Sequence, residues 1–178
     1  MKRLVLWVPL AIFLVIGIIA MVGLFSPSDR LIRSRLVGQP LPALQLPPAM
    51  PGRATVRHAD FTGGEPRMLN IFASWCVPCI TEAPQMMALS RRGVPIDAIA
   101  IRDRAPDVAQ FLQRWGDPYR NIALDTDSSL QLAVGSSGVP ETFIVDGNGV
   151  IRYQHVGAVN EADLPRILAE YEAARAPL

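Results

Sequence analysis

Cys76 and Cys79 are the only cysteines in this chain of 178 residues, and their Cys-x-x-Cys spacing is that of a dithiol able to exchange two electrons with another disulfide. Such a thiol attacks as its thiolate. The run Asn70-Ile71-Phe72-Ala73-Ser74-Trp75 reads as an apolar strand ending in a turn, so Cys76 stands where the next helix opens. A helix start supplies unpaired N–H donors and the positive end of the helix dipole, both of which hold negative charge on sulfur. Cys79 follows by three residues, close to one turn, and can reach Cys76 to close a disulfide on the same face. The placement makes Cys76 the attacking sulfur and Cys79 the resolving one.

Other uses of the motif fit less well. A structural zinc site wants four ligands, and beyond the cysteines the chain has only His58 and His155, in no paired spacing, so no metal is expected. Haem attachment requires His directly after the second cysteine, where this chain has Ile80. A purely structural disulfide is opposed by Trp75 and the strand-to-helix transition.

The elements that must position these sulfurs can be read along the chain. After Lys2 and Arg3, Leu4 to Phe25 holds no charged residue, and at 1.5 Å per residue it would reach about 33 Å, enough to cross a bilayer as a retained signal anchor. Residues 1–25 are therefore expected as a transmembrane helix, 26–36 as a tether and 37–178 as the folded domain. Setting aside Lys2 and Arg3 from the 17 basic residues leaves 15 against 16 acidic, a balance that speaks against an electrostatic nucleic-acid binder.

Within the domain, the proline-bearing stretch Val37 to Leu46 permits an edge segment only, Thr55 to His58 a short strand, and Gly63-Gly64 a turn before a central strand at Arg67 to Phe72. A helix to about Arg91 with a bend at Pro84 follows, then a strand over Pro95 to Ile101, a helix over Asp107 to Trp115, a strand over Asn121 to Leu124 and a helical stretch over Ser128 to Val134. Glu141 to Val145 and Val150 to His155 flank Asp146-Gly147-Asn148-Gly149 as a hairpin, and Glu161 to Ala174 closes the chain as a helix. This order describes an α/β fold with a mixed sheet covered on both faces.

Trp75-Cys76-Val77-Pro78-Cys79 with Pro84, and Val139-Pro140-Glu141-Thr142 ahead of a hairpin, resemble the thioredoxin fold. With the N-terminal apolar run, Val37-Gly38-Gln39-Pro40, Glu82 and Gly138 to Asp146, nearly the whole chain is similar to the CcmG/DsbE family, membrane-tethered periplasmic thioredoxins of cytochrome c maturation. The resemblance implies a single-pass inner-membrane protein with its domain in the periplasm and no cofactor beyond the Cys76–Cys79 disulfide. It implies reduction of the Cys-x-x-Cys-His disulfide of apocytochrome c, or of a partner dithiol protein, with electrons from a membrane conduit of the DsbD or CcdA type. The chain departs from the family's frequent Gly-Val-x-Gly with Gly135-Ser136-Ser137-Gly138, and it carries Ile80, Thr81, Glu82 and Ala83 where basic or histidine residues are common.

The resemblance also implies that Pro140 is cis beside the disulfide, leaving the backbone of Val139 free to pair with an incoming peptide. Asn70 stands where cytoplasmic thioredoxins carry a buried aspartate, and an amide cannot accept the Cys79 proton. Glu82, one turn beyond Cys79, and Glu141, beside Pro140, are the candidate acceptors, the alternatives being a solvated helix residue and a surface strand residue. Trp75 is expected as a ledge beside the sulfurs and Trp115 in the core. Arg102, Asp103 and Arg104 are expected in a solvated loop.

The leading function is a thiol:disulfide reductant of cytochrome c maturation, the alternative a general periplasmic reductant or oxidant unrelated to haem. A copper metallochaperone fits poorly, since such proteins space their cysteines by three residues with a His nearby. A noncatalytic peptide-binding adaptor is the remaining class.

Overall fold

The computed structural model describes residues 7–25 and 35–175. Helix α1, Val8–Phe25, carries no acidic or basic residue. The expected span from Leu4 starts at residues outside the described ones. The described helix rises about 27 Å against about 30 Å of hydrocarbon, and among the described residues no helix is long and apolar enough to cross a membrane. The expected tether lies almost wholly outside the described residues.

The domain is built on a five-stranded sheet in the order β3-β2-β1-β4-β5. Strands β1 (Arg67–Phe72), β2 (Ile96–Ile101) and β3 (Ile122–Asp125) run parallel, and β4 (Glu141–Val145) and β5 (Ile151–Val156) add an antiparallel hairpin to β1. Met68 to Phe72, all of β2 and all of β4 are buried, so the central strands are covered on both faces. The helices are α2 (Val77–Arg91), α3 (Ala105–Trp115), the short α4 (Ser129–Ala133) and α5 (Leu164–Ala173), which a 3-10 turn at Glu161–Asp163 precedes. Helix α2 continues through Pro84.

The crossovers β1-α2-β2 and β2-α3-β3 advance in one direction, and right-handed connections then place both helices on one face of the sheet. Side chains of β1 agree. Asn70 meets Glu82 of α2, and Phe72, two residues along on the same face, packs on Phe111 of α3 with ring centroids 5.4 Å apart. Phe72 also stacks on Tyr119 at 5.2 Å, and each such aromatic pair contributes about 0.5–1.5 kcal/mol beyond burial.

The proline-bearing segment serves both sheet edges. Leu41 N donates to Gly149 O at 2.7 Å beside the β5 hairpin, while Pro47 O accepts from Leu124 N at 2.9 Å on β3. Residues 41 to 47 thus link the hairpin end of the sheet to β3, the strand at its other edge. Its prolines suit an edge because they donate nothing to a ladder. The expected strand over Thr55 to His58 does not form. Arg57 makes an isolated bridge to Gln45, and Asp60 accepts from Arg57 N at 2.9 Å, which turns His58–Phe61 into a 3-10 helix.

Candidate active site

Strand β1 delivers the chain to the turn at residues 73–76, and Cys76 caps α2 with extended backbone. Cys79 N donates to Cys76 Sγ at 3.2 Å, one of the free N–H groups of the first turn aimed at the sulfur that would carry charge. Pro78 sits in that turn, where a missing N–H costs the helix nothing. Cys76 and Cys79 form a disulfide with S–S 2.15 Å and Cα–Cα 5.3 Å, and both are buried.

The turn is pinned from the neighbouring loop. Buried Asp103 accepts from Ser74 N at 2.6 Å, Ser74 Oγ at 2.8 Å and Arg104 N at 2.9 Å, so the expectation of a wholly solvated loop over 102–104 fails at its middle residue. Trp75, which directly precedes Cys76, donates its Nε1 to Arg102 O at 3.2 Å and stays 57% exposed. Arg102 holds the left-handed φ of 47° that aims this carbonyl.

Beneath the disulfide's helix lies a buried polar cluster. Glu82 is 1% exposed, accepts from Asn70 Nδ2 at 3.2 Å and Val159 N at 3.1 Å, and is therefore no solvated helix residue. Burial pushes its pKa up to about 7, against the lowering from the Val159 and Asn70 hydrogen bonds. Asn70 is fully satisfied. Its Nδ2 also donates to Thr142 Oγ1 at 3.1 Å, and its Oδ1 accepts from Tyr119 OH at 2.9 Å. Burial raises the Tyr119 pKa well above the ordinary tyrosine value, with the Glu82 and Asp117 charges adding to it, so its hydroxyl stays a donor.

Glu141 is buried as well, which overturns the surface reading, but it faces the other way. Asn70 pairs with Thr142 and Ile71 with Glu141, and paired residues share a face, so Glu141 lies on the sheet face opposite Glu82. Its carboxylate accepts from Ser137 N at 2.8 Å, from Ser137 Oγ and from Gln154 Nε2 at 3.0 Å. These bonds tie down the loop that leads to the Val139–Pro140 peptide, which is cis. By register, Pro140 follows the Ile71–Glu141 pair toward the β1 end that feeds the cysteines.

Trp115 is not core. It is 37% exposed at the end of α3, with the Arg114 guanidinium 5.0 Å over its ring. Sequence reasoning passed over Tyr119 and Val159 and took Thr142 only as part of the segment around Pro140, since no spacing ties them to Asn70 and Glu82 and only the fold joins them. Among the described residues no group of His, Cys, Asp and Glu could hold a metal ion.

A dithiol at the head of a helix, set on a mixed sheet whose cis-proline strand adjoins it, defines the class of thioredoxin-like thiol:disulfide oxidoreductases. The Redoxin family model matches residues 36–170. The thiol:disulfide interchange protein DsbE of Pseudomonas fluorescens biotype C is 36% identical over 175 residues, covering 97% of this chain and 96% of that protein. DsbE of Haemophilus influenzae is 38% identical over 160 residues, covering 88% of each. The crystal structure of a Chlorobium tepidum protein assigned as DsbE superposes with TM-score 0.63 at 28% identity, over 78% of this chain and 97% of that one. The chain belongs to the CcmG/DsbE family and is a thiol:disulfide oxidoreductase.

Proposed function

We propose that the chain is a membrane-tethered periplasmic reductant that returns electrons to the disulfide of apocytochrome c, or of a dithiol partner in its maturation. The observation that carries this reading is the Cys76–Cys79 pair at the head of α2 over the buried Glu82, in a chain of the DsbE family. The uncharged run through Phe25 would supply the tether. A membrane dithiol conduit of the DsbD or CcdA type would reduce the protein again, and no cofactor is required.

In the reduced protein, the Cys76 thiolate, held by the Cys79 N–H, attacks one sulfur of the substrate disulfide. The sulfur–sulfur bond breaks, the leaving sulfur departs as a thiolate, and a mixed disulfide to Cys76 forms. Cys79 then gives its proton to Glu82, whose pKa near 7 suits it to accept at neutral pH. The Cys79 thiolate attacks Cys76 Sγ, the second substrate sulfur leaves, and two electrons have passed to the substrate as Cys76–Cys79 closes. Trp75 and the Val139–Pro140 segment would form the surface on which the substrate backbone lies. Glu141 would hold that segment through Ser137 and would not take the proton.

Deletion of the gene should abolish covalent c-type haem, seen by haem staining, with rescue by the full chain and not by Cys76→Ser. A periplasm-dependent reporter fused after Leu178 should be active. Normal c-type haem in the deletion strain favours the general periplasmic reductant instead.

A further inference from the structure

Beside the cysteines opens a groove of about 640 Å³, lined by the turn at Ser74 and Trp75, the 102–104 loop and the outer side of α3. We propose that it binds an acidic stretch of polypeptide flanking the substrate's disulfide, which makes the protein selective for substrates with carboxylates beside their cysteines. The inference rests on the reductant reading above and specifies its substrate.

The groove is lined by two exposed indoles, Trp75 and Trp115, together with Phe111 and Ile80. Trp75 directly precedes Cys76, so a substrate sulfur bonded to Cys76 would lay its neighbouring residues into this groove. Aromatic walls that keep one polar edge satisfied, as Trp75 does on Arg102 O, offer contact area at little conformational cost.

Charge decides what kind of chain fits. Three guanidiniums line the groove, Arg102, Arg104 and Arg114, with two carboxylates, Asp103 and Asp107. Both carboxylates are engaged. Asp103 is consumed by Ser74 and the Arg104 N–H, and Asp107 stands 3.6 Å from Arg104 Nε. Among the described residues no carboxylate pairs with Arg102, whose Nε donates to Ser128 Oγ at 3.0 Å, or with Arg114, which lies over Trp115. Two exposed guanidiniums thus remain for an incoming anion, and Arg on an aromatic face suits a planar carboxylate. A lysine-bearing segment would meet uncompensated positive charge.

The test compares oxidised Cys-x-x-Cys peptides flanked by Asp and Glu, by Ser, or by Lys, reduced by the full-length protein in detergent with an added dithiol that returns Cys76–Cys79 to thiols and whose direct reaction with each peptide is subtracted. Two partly exposed ion pairs predict kcat/KM about five- to tenfold higher for the acidic peptide than for the serine one, expressed in KM. The gap should close at about 1 M salt. In the Arg102→Gln/Arg114→Gln double variant the acidic-to-serine ratio should fall to about one. Dissociation constants of non-reactive peptides with Ser for Cys, read by tryptophan fluorescence, should show the same order. An equal or better rate with the lysine peptide, or a ratio unchanged in the double variant, overturns the proposal. So does haem binding that the double variant weakens, without any preference among the peptides. If no peptide is reduced, the reductant reading fails, and the fluorescence titration still decides the groove.

Discussion

Asn70 Nδ2 donates to Glu82 Oε1 at 3.2 Å inside the core, and this bond joins the central strand of the sheet to the helix that carries both cysteines. It makes Glu82 the acid nearest in structure to the role that a strand carboxylate would otherwise fill. With an amide on the strand, the proton site moves to the helix.

The elevated pKa of Glu82 has a consequence for stability. Below about pH 4.5 both folded and unfolded chains carry this group protonated; between 4.5 and about 7 the unfolded chain has released the proton and the folded one retains it. The unfolded state then binds fewer protons, so stability falls as pH rises through this window and levels off above it, by about 3 kcal/mol in all. Glu82→Gln should remove that loss. Urea denaturation of the oxidised protein at pH 5 to 8 should show the variant gaining on wild type as pH rises; parallel curves would mean that Glu82 titrates as an ordinary carboxylate.

Tyr119 fixes the direction of the Asn70 amide. Its hydroxyl donates to Oδ1 at 2.9 Å, which leaves Nδ2 for Glu82 and Thr142. Tyr119→Phe strands a buried acceptor, at about 1–3 kcal/mol, and frees the amide to turn its oxygen toward the carboxylate. The Glu82 pKa should rise further, read by carboxyl-carbon NMR, and the pH profile of mixed-disulfide resolution should move up with it. An unshifted Glu82 titration would leave Tyr119 a packing residue alone.

What could be read from the sequence was local. The Cys-x-x-Cys spacing, the run from Arg67 to Phe72 and the hairpin around Asp146-Gly147-Asn148-Gly149 each carry their signal within a few residues, and all three form where expected. At Gly147 the reason is steric, since a Cβ there would come within 2.3 Å of the Gly64 backbone. The burial of Glu82 had no such signal, because helical spacing places it one turn beyond Cys79 but cannot show that Val159, far along the chain, closes over it. Trp115 misled for the opposite reason. It continues the stripe of Val108, Phe111 and Leu112, yet as the last residue of α3 it lines the groove instead of the core.

Asp103 holds the turn that presents the cysteines. Asp103→Ala removes the acceptor of both Ser74 N and Ser74 Oγ, so the protein should lose about 1–3 kcal/mol. Because Trp75 is anchored next door on Arg102 O, its fluorescence should redden in the variant. Unchanged melting and an unchanged spectrum would show that the turn holds without this carboxylate.

The two sulfurs should separate by trapping. Cys76 Sγ receives a backbone N–H from Cys79, and that donor survives when the Cys79 side chain is replaced. Cys79→Ser therefore keeps a stabilised thiolate able to attack, but lacks the thiol that would resolve the product, and a mixed disulfide with the substrate should accumulate. In Cys76→Ser the remaining thiol is buried and is not the sulfur that receives the Cys79 N–H. It should trap little. Non-reducing electrophoresis followed by mass analysis of the adducts would compare them, and equal adduct from the two variants would reverse the assignment of attacking and resolving sulfurs.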